Sequence, residues 1–231
     1  MTNSGQTPTQ VVVAIDGPSG SGKSSVSKEI ARRLDLGYLD TGAMYRAVTW
    51  WAMTEGTDWE DGGAVVVAAQ EAPVEISTDP DRQFVQVGAT DVTAAIRTPE
   101  VTSHVSAVAT VPAAREVLVA RQRQIIADSG RRIVAEGRDI TTVVAPDAEV
   151  RILLVANEQA RMNRRGAQLG GSQDAESLRA QVVGRDAKDS TVVNFSTAAD
   201  GVITLDNSEL NLEQTVQAVL DLIFRAVPDL A

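Results

Sequence analysis

With 231 residues the chain is long enough to bury a full core, either as one large domain or as a core carrying insertions. Hydrophobic residues make up 43 % and charged ones 23 %, the balance of a soluble globular protein rather than a disordered one. A formal net charge of −10 argues against a general nucleic-acid-binding surface, and the lack of any cysteine excludes a disulfide framework, a thiolate nucleophile and a cysteine-ligated metal.

Residues 1–10, MTNSGQTPTQ, are polar and read as a loose tail with neither the basic nor the apolar segment of a secretory signal. No apolar run approaches the roughly 20 residues of a membrane span, so a cytoplasmic location is expected. Val11 to Ile15 are apolar without interruption, the pattern of a central parallel strand covered on both faces. Gly17-Pro18-Ser19-Gly20-Ser21-Gly22-Lys23-Ser24 follows and fits G-x-x-x-x-G-K-[ST]. Glycines there let the backbone curl so that successive N–H groups meet one phosphate, and the following helix adds its dipole. Lys23 would reach the β- and γ-phosphates and the Ser24 hydroxyl would ligate Mg²⁺, so Gly17 to Ser24, with Ser25, form the expected ATP-binding set.

Val26, Ile30, Ala31 and Leu34 recur at helical spacing after this loop, with Gly37 as the expected terminator. Tyr38 to Asp40 reads as a short strand, and Thr41 as the cap of a helix whose Trp50, Trp51 and Met53 belong to the core. Between Gly56 and Thr98, Val74–Ser77 and Phe84–Val87 alternate about the turn Thr78-Asp79-Pro80-Asp81, predicting a small β insertion at one edge. Asp58, Glu60 and Asp61 read as a solvated surface, and the lone His104 as an ordinary helix or surface residue. Pro112 starts a helix running to about Asp128 and carrying Arg115, Arg121 and Arg123. Ile133–Glu136, Val150–Val155 and Val202–Leu205 are three further strands, and arginine-rich helical segments broken by Leu169–Ser172 lie between the last two. Asn211 caps a final helix with Gln214 in capping-box position. Alternating strands and helices predict an α/β fold: a three-layer αβα sandwich around a five-stranded parallel sheet.

A phosphate-binding loop names the donor and leaves the acceptor open. N-K-x-D and D-x-x-G are absent, which disfavours a GTPase switch, and Glu136-Gly137-Arg138-Asp139 lacks the D-F-G and A-P-E partners of a protein-kinase loop. Arginines cluster at 131, 132 and 138, at 161, 164 and 165, and at 179 and 185, marking anion sites in an acidic chain. No general base is evident. A phosphate monoester, with a second pKa of about 6, needs none, because it is already an anionic nucleophile near neutral pH. What such a reaction demands is cations that hold two repelling anions together, a task suited to forked arginines.

Asp16 to Ser24, Leu39-Asp40-Thr41-Gly42-Ala43-Met44-Tyr45-Arg46, Ile96-Arg97-Thr98-Pro99-Glu100-Val101, Glu136-Gly137-Arg138-Asp139-Ile140 and Arg185-Asp186-Ala187-Lys188-Asp189-Ser190 together resemble the bacterial cytidylate kinases, from about Val11 to the C-terminus. The resemblance implies transfer of the ATP γ-phosphate to CMP or dCMP in pyrimidine nucleotide metabolism, with Mg²⁺, by a monomer that binds neither nucleic acid nor membrane. It implies a core of residues 11–40, 99–157 and 184–231, a monophosphate-binding region at 41–98 and a lid at 158–183. Arg46, Arg138 and Arg185 would hold the CMP phosphate, Asp40, Thr41, Tyr45 and Glu136 would line that site, and Asp189 with Arg185 would bind the ribose. Ser106, Arg115 and Asp139 would read the cytosine edge, and Arg161 and Arg165, beside Arg164, would close over the triphosphate. The family usually carries Asp at the position of Glu136, Gly at that of Thr141 and often Arg at that of Val192. Thr141 is expected to limit how closely backbone and phosphate approach. A kinase of the shikimate or dephospho-coenzyme A type and a nucleotide-binding switch without turnover are the alternatives.

Overall fold

The computed structural model describes residues 9–168 and 197–230, so Arg179, Arg185, Asp189, Val192 and most of the expected lid lie outside the described residues. Five parallel strands form the central sheet: β1 (Val11–Asp16), β2 (Gly37–Asp40), β6 (Arg132–Gly137), β7 (Val150–Val155) and β8 (Ile203–Asp206), in the order β2-β6-β1-β7-β8. All six residues of β1 are buried, as its unbroken apolar run requires. Successive side chains of β1 leave on opposite faces. Val12 and Ala14 join a cluster with α2 (Thr41–Thr54), α3 (Gly62–Glu71) and α5 (Pro112–Asp128). Val11, Val13 and Ile15 join another with α1 (Lys23–Arg33) and α7 (Leu212–Ala226). Each fully buried Ile, Leu or Val contributes roughly 1.5–3 kcal/mol. The register pairs Asp16 with Gly137, and both Ile15 and Asp40 with Glu136. The C-terminal ends of three neighbouring strands therefore deliver their carboxylates to one edge, where a doubly wound sheet binds its ligands.

Three expectations change in detail. Gly37 does not terminate α1 but opens β2. The helix closes instead through a Schellman pair, Leu36 N to Ala31 O at 2.8 Å and Asp35 N to Arg32 O at 3.4 Å, with Asp35 at φ 52. Leu36 is then buried against the core, the apolar contact that accompanies such an ending. Asp40, not Thr41, caps α2, its Oδ1 accepting from Ala43 N at 2.8 Å. The region from Gly56 to Thr98 holds more than the expected hairpin. The antiparallel strands β3 (Val74–Ile76), β4 (Val85–Val87) and β5 (Thr90–Asp91) are preceded by α3, which Asp61 caps through Gly63 N at 2.8 Å. Further on, α4 (Pro99–Ala109), capped by Thr98, carries His104, whose exposed ring lies 5.8 Å from that of Trp59. The capping box of α7 forms as the sequence predicts, Asn211 and Gln214 bonding reciprocally at 2.9 and 3.0 Å.

Candidate active site

The glycine-rich loop joins β1 to α1 and is a tight fit. A Cβ on Gly17 would lie 2.1 Å from Leu154 O, and one on Gly20, whose φ is +78, would lie 2.8 Å from Arg161 O. Side-chain donors take up the carbonyls of the loop. Lys23 Nζ donates to Gly17 O at 2.7 Å and Pro18 O at 2.9 Å, Arg138 Nη1 to Gly17 O at 2.6 Å, and Arg161 Nη1 to Ser19 O at 3.0 Å. At the first turn of α1 the Ser24 hydroxyl donates to Glu136 Oε1 at 2.6 Å, an oxygen that also accepts from Tyr38 OH at 3.3 Å. Burial raises the Glu136 carboxyl above its usual range, and the neighbouring Asp40 pushes it the same way. A hydroxyl and a carboxylate oxygen at this spacing are the hard donors that suit Mg²⁺ beside a polyphosphate.

Asp40 organises the second half of the site. Its Oδ2 accepts from Arg46 Nη2 at 3.0 Å and from Arg97 Nη2 at 3.4 Å. Burial alone would raise this carboxyl, but the two guanidinium groups and the Ala43 amide bring it below its ordinary value. Arg46 Nε is buried with no hydrogen-bond partner among the described residues. Arg165, from α6 (Glu158–Gln168), has its pKa lowered by burial and by repulsion from Arg46 and Arg97. A cavity of about 140 Å³ is lined by Ser19, Lys23 and Ser24 of the loop together with Asp40, Arg46, Arg97, Glu136, Arg138 and Arg165. The sequence reading gave Arg97 no role, although it lay inside a quoted signature.

Thr41, Tyr45, Ser106, Arg115 and Asp139 do not line this cavity: Thr41 donates through Oγ1 to Glu136 O at 2.8 Å, and Tyr45 packs half-buried against the core cluster under α2. Asp139 pairs with Arg115 of α5 rather than with its neighbour Arg138. Ser106 sits half-buried on α4. Thr141 turns its side chain to Asp16, the last residue of β1. It is buried, with its hydroxyl donating to Asp16 Oδ2 at 2.6 Å and its amide to the same oxygen at 2.8 Å. Ile140 N donates to Asp16 Oδ1 at 2.9 Å, so Asp16 anchors the π-helical turn Ile140–Val144 that follows Asp139. Beyond the loop, a second cavity of about 340 Å³ is lined by Gly22, Lys23, Ser25, Arg164, Asn207 and Leu212, among others. Asn207 is a functional candidate that sequence reading missed.

A phosphate loop at the end of a central parallel strand, opposed across a small cavity by arginines from other segments, defines a P-loop kinase whose acceptor is itself anionic. A family model described as cytidylate kinase matches residues 13–225. The chain belongs to the cytidylate kinase family. It is 49 % identical over 214 residues to the cytidylate kinase of Cutibacterium acnes, spanning 92 % of this chain and 96 % of that one. Against the cytidylate kinase of Nocardia farcinica it is 47 % identical over 213 residues, spanning 90 % and 91 %. Among solved structures, an uncharacterized protein from Eubacterium ventriosum shares the fold at a TM-score of 0.51 and 11 % identity, over 92 % of this chain and 97 % of that one.

Proposed function

We propose that this chain transfers the γ-phosphate of ATP to CMP or dCMP, giving ADP and CDP or dCDP, with Mg²⁺ held at Ser24 and Glu136. The observation that carries the reading is the 140 Å³ cavity in which phosphate-loop residues and Arg46, Arg97 and Arg138 line one space. Loop amides and Lys23 hold the donor phosphates, and Mg²⁺ neutralises part of their charge. Arg46 and Arg138, with Arg185, take the acceptor phosphate, whose oxygen attacks the γ-phosphorus without a protein base. Arg161 and Arg165 close over the transferring group and exclude water. Ser106, Arg115 and Asp139 read the base. Telling cytosine from uracil means accepting from the exocyclic amine while donating to N3 and the ring carbonyl, and a carboxylate, a guanidinium and a hydroxyl together do both. Residues 41–98 are the acceptor-binding region and 158–183 the lid.

The reading takes the enzyme as monomeric and cytoplasmic; separately, no helix among the described residues is long and apolar enough to cross a membrane. A coupled assay of ADP release with ATP, Mg²⁺ and a panel of CMP, dCMP, UMP, AMP and shikimate tests the reading. CMP and dCMP should turn over fastest. Turnover with shikimate in place of CMP, or nucleotide binding without turnover on any acceptor, would overturn it.

A further inference from the structure

Arg164 differs from its neighbours on α6 in how its guanidinium is used. Nη1 donates to Asn207 Oδ1 at 2.9 Å and to Ser21 O at 3.3 Å, while Nη2 donates to Asn207 O at 2.6 Å and Leu210 O at 3.1 Å. All four terminal N–H groups are committed to the protein, which leaves Nε–H as the one donor that could meet a phosphate without breaking them. Its partner Asn207 is 2 % exposed and follows β8, where its amide extends the sheet ladder to Val155 O at 2.9 Å. The Asn207 side chain accepts from Arg164 and donates through Nδ2 to Ser21 O at 3.0 Å. Thus two donors from distant segments converge on one carbonyl of the phosphate loop.

A trans peptide points its C=O and the next residue's N–H in opposite directions. Pinning Ser21 O to Asn207 and Arg164 therefore aims Gly22 N–H away from them. In the same way Pro18 O on Lys23 directs Ser19 N–H, and Ser19 O on Arg161 directs Gly20 N–H. Gly22 sits at φ +92, a conformation open to glycine at no steric cost, and a Cβ there would lie 3.7 Å from Asn207 Nδ2. The strut also borders the 340 Å³ cavity, which Arg164 and Asn207 line together with Leu210, Asn211, Leu212 and Thr215.

We propose that Asn207 and Arg164 are positioning residues of the donor site: a strut that fixes the Ser21–Gly22 peptide so that its N–H meets the polyphosphate of ATP. The inference rests on the donor-site reading above and extends it to two side chains that need not touch the phosphates.

The test compares Asn207→Asp, Arg164→Met and Arg164→Lys with the unaltered chain. Each is titrated with Mg²⁺ and the non-hydrolysable analogue AMP-PNP by calorimetry, assayed for KM of ATP and of CMP, and melted. Asn207→Asp keeps size and an acceptor for Arg164 but sets an oxygen against Ser21 O. Loss of one such buried hydrogen bond should weaken AMP-PNP and raise KM for ATP about tenfold, with KM for CMP within about twofold. Arg164→Lys should recover part of the loss seen in Arg164→Met, because an ammonium still reaches one or two of the four acceptors. Unaltered AMP-PNP affinity in Asn207→Asp would overturn the strut. So would equal losses for ATP and CMP that track a lowered melting temperature. If the unaltered chain itself failed to bind AMP-PNP, the donor-site reading would fall first.

Discussion

The Arg115–Asp139 pair offers the most incisive test of base recognition. Both side chains are largely buried, 16 % and 8 % exposed, so removing one partner has a stability cost as well as a functional one. Asp139→Ala would strand a buried guanidinium at a cost of roughly 3–5 kcal/mol, or about 10 °C in a domain of this size. That loss would obscure any change in preference. Asp139→Asn is the cleaner perturbation, because its Oδ1 still accepts from Arg115 while its Nδ2 becomes a donor. A cytosine amine that had donated to a carboxylate would then meet an N–H, whereas the uracil carbonyl would gain a partner. Hydrogen bonds to charged groups contribute about 1.5–3 kcal/mol, so the CMP-to-UMP ratio of kcat/KM should fall about ten- to a hundred-fold. Coupled ADP release with each nucleotide at subsaturating concentration measures the ratio, and a thermal melt confirms that the variant is folded. A folded Asp139→Asn protein with an unchanged ratio would refute the assignment and place the base reader elsewhere.

Lys23→Ala should lower kcat by at least about a hundredfold with the fold intact, since Gly17 O keeps Arg138 and Pro18 O keeps Ser21 N at 3.3 Å. Near-normal turnover would remove the phosphate-loop assignment. Gly137→Ala would put a Cβ 2.5 Å from Thr41 Oγ1 and 2.8 Å from Ile140 Cδ1, forcing apart the β2–α2 and β6 ends of the acceptor site. KM for CMP should rise while AMP-PNP affinity holds, and an unchanged KM would show that the gap can be absorbed. Gln122 is 1 % exposed on α5, beside Leu118 and Ile126, with neither amide atom hydrogen-bonded among the described residues. Gln122→Leu removes an uncompensated desolvation cost of about 1–3 kcal/mol and should raise the melting temperature by several degrees, whereas a lower one would point to a buried water.

The parts of the fold that local chemistry specifies were legible in the sequence. The apolar run of β1, the Pro112 start of α5 and the Asn211–Gln214 capping box each carry their own cause within a few residues. What escaped depends on partners far along the chain. Gly62 and Gly63 followed by Val65, Val66 and Val67 have poor intrinsic helix propensity. Yet α3 forms, because Asp61 caps it and Val65, Ala68 and Ala69 are buried on its inner face. Gly37 looked like a helix terminator, but burial of Leu36 stops α1 two residues earlier and Asp35 takes the left-handed position. Asp40 was overlooked as a cap because Thr41 is an equally good cap by type. The strand register decides between them, placing Asp40 opposite Glu136 and within reach of Ala43 N.

The same division runs through the site. The phosphate loop is contiguous, and so it declared itself. Asn207 lies 186 residues from the carbonyl it holds, and an Asn after a strand carries no mark of such a task. Arg97 stood in a recognisable signature, but its meaning is electrostatic and visible only with its neighbours. Among the described residues lining the small cavity, Lys23, Arg46, Arg97, Arg138 and Arg165 supply five positive charges and Asp40 and Glu136 two negative ones, a surplus of three in a chain whose formal charge is −10. Arg165 is half-buried and repelled by Arg46 and Arg97, so this cavity brings like charges together at a cost. On the proposed reading, a phosphate dianion entering there would relieve that repulsion as it binds, and the γ-phosphate it approaches would be screened by the same cations. Charge reversal confined to one crevice of an acidic protein would let two anions meet while the chain as a whole stays negative.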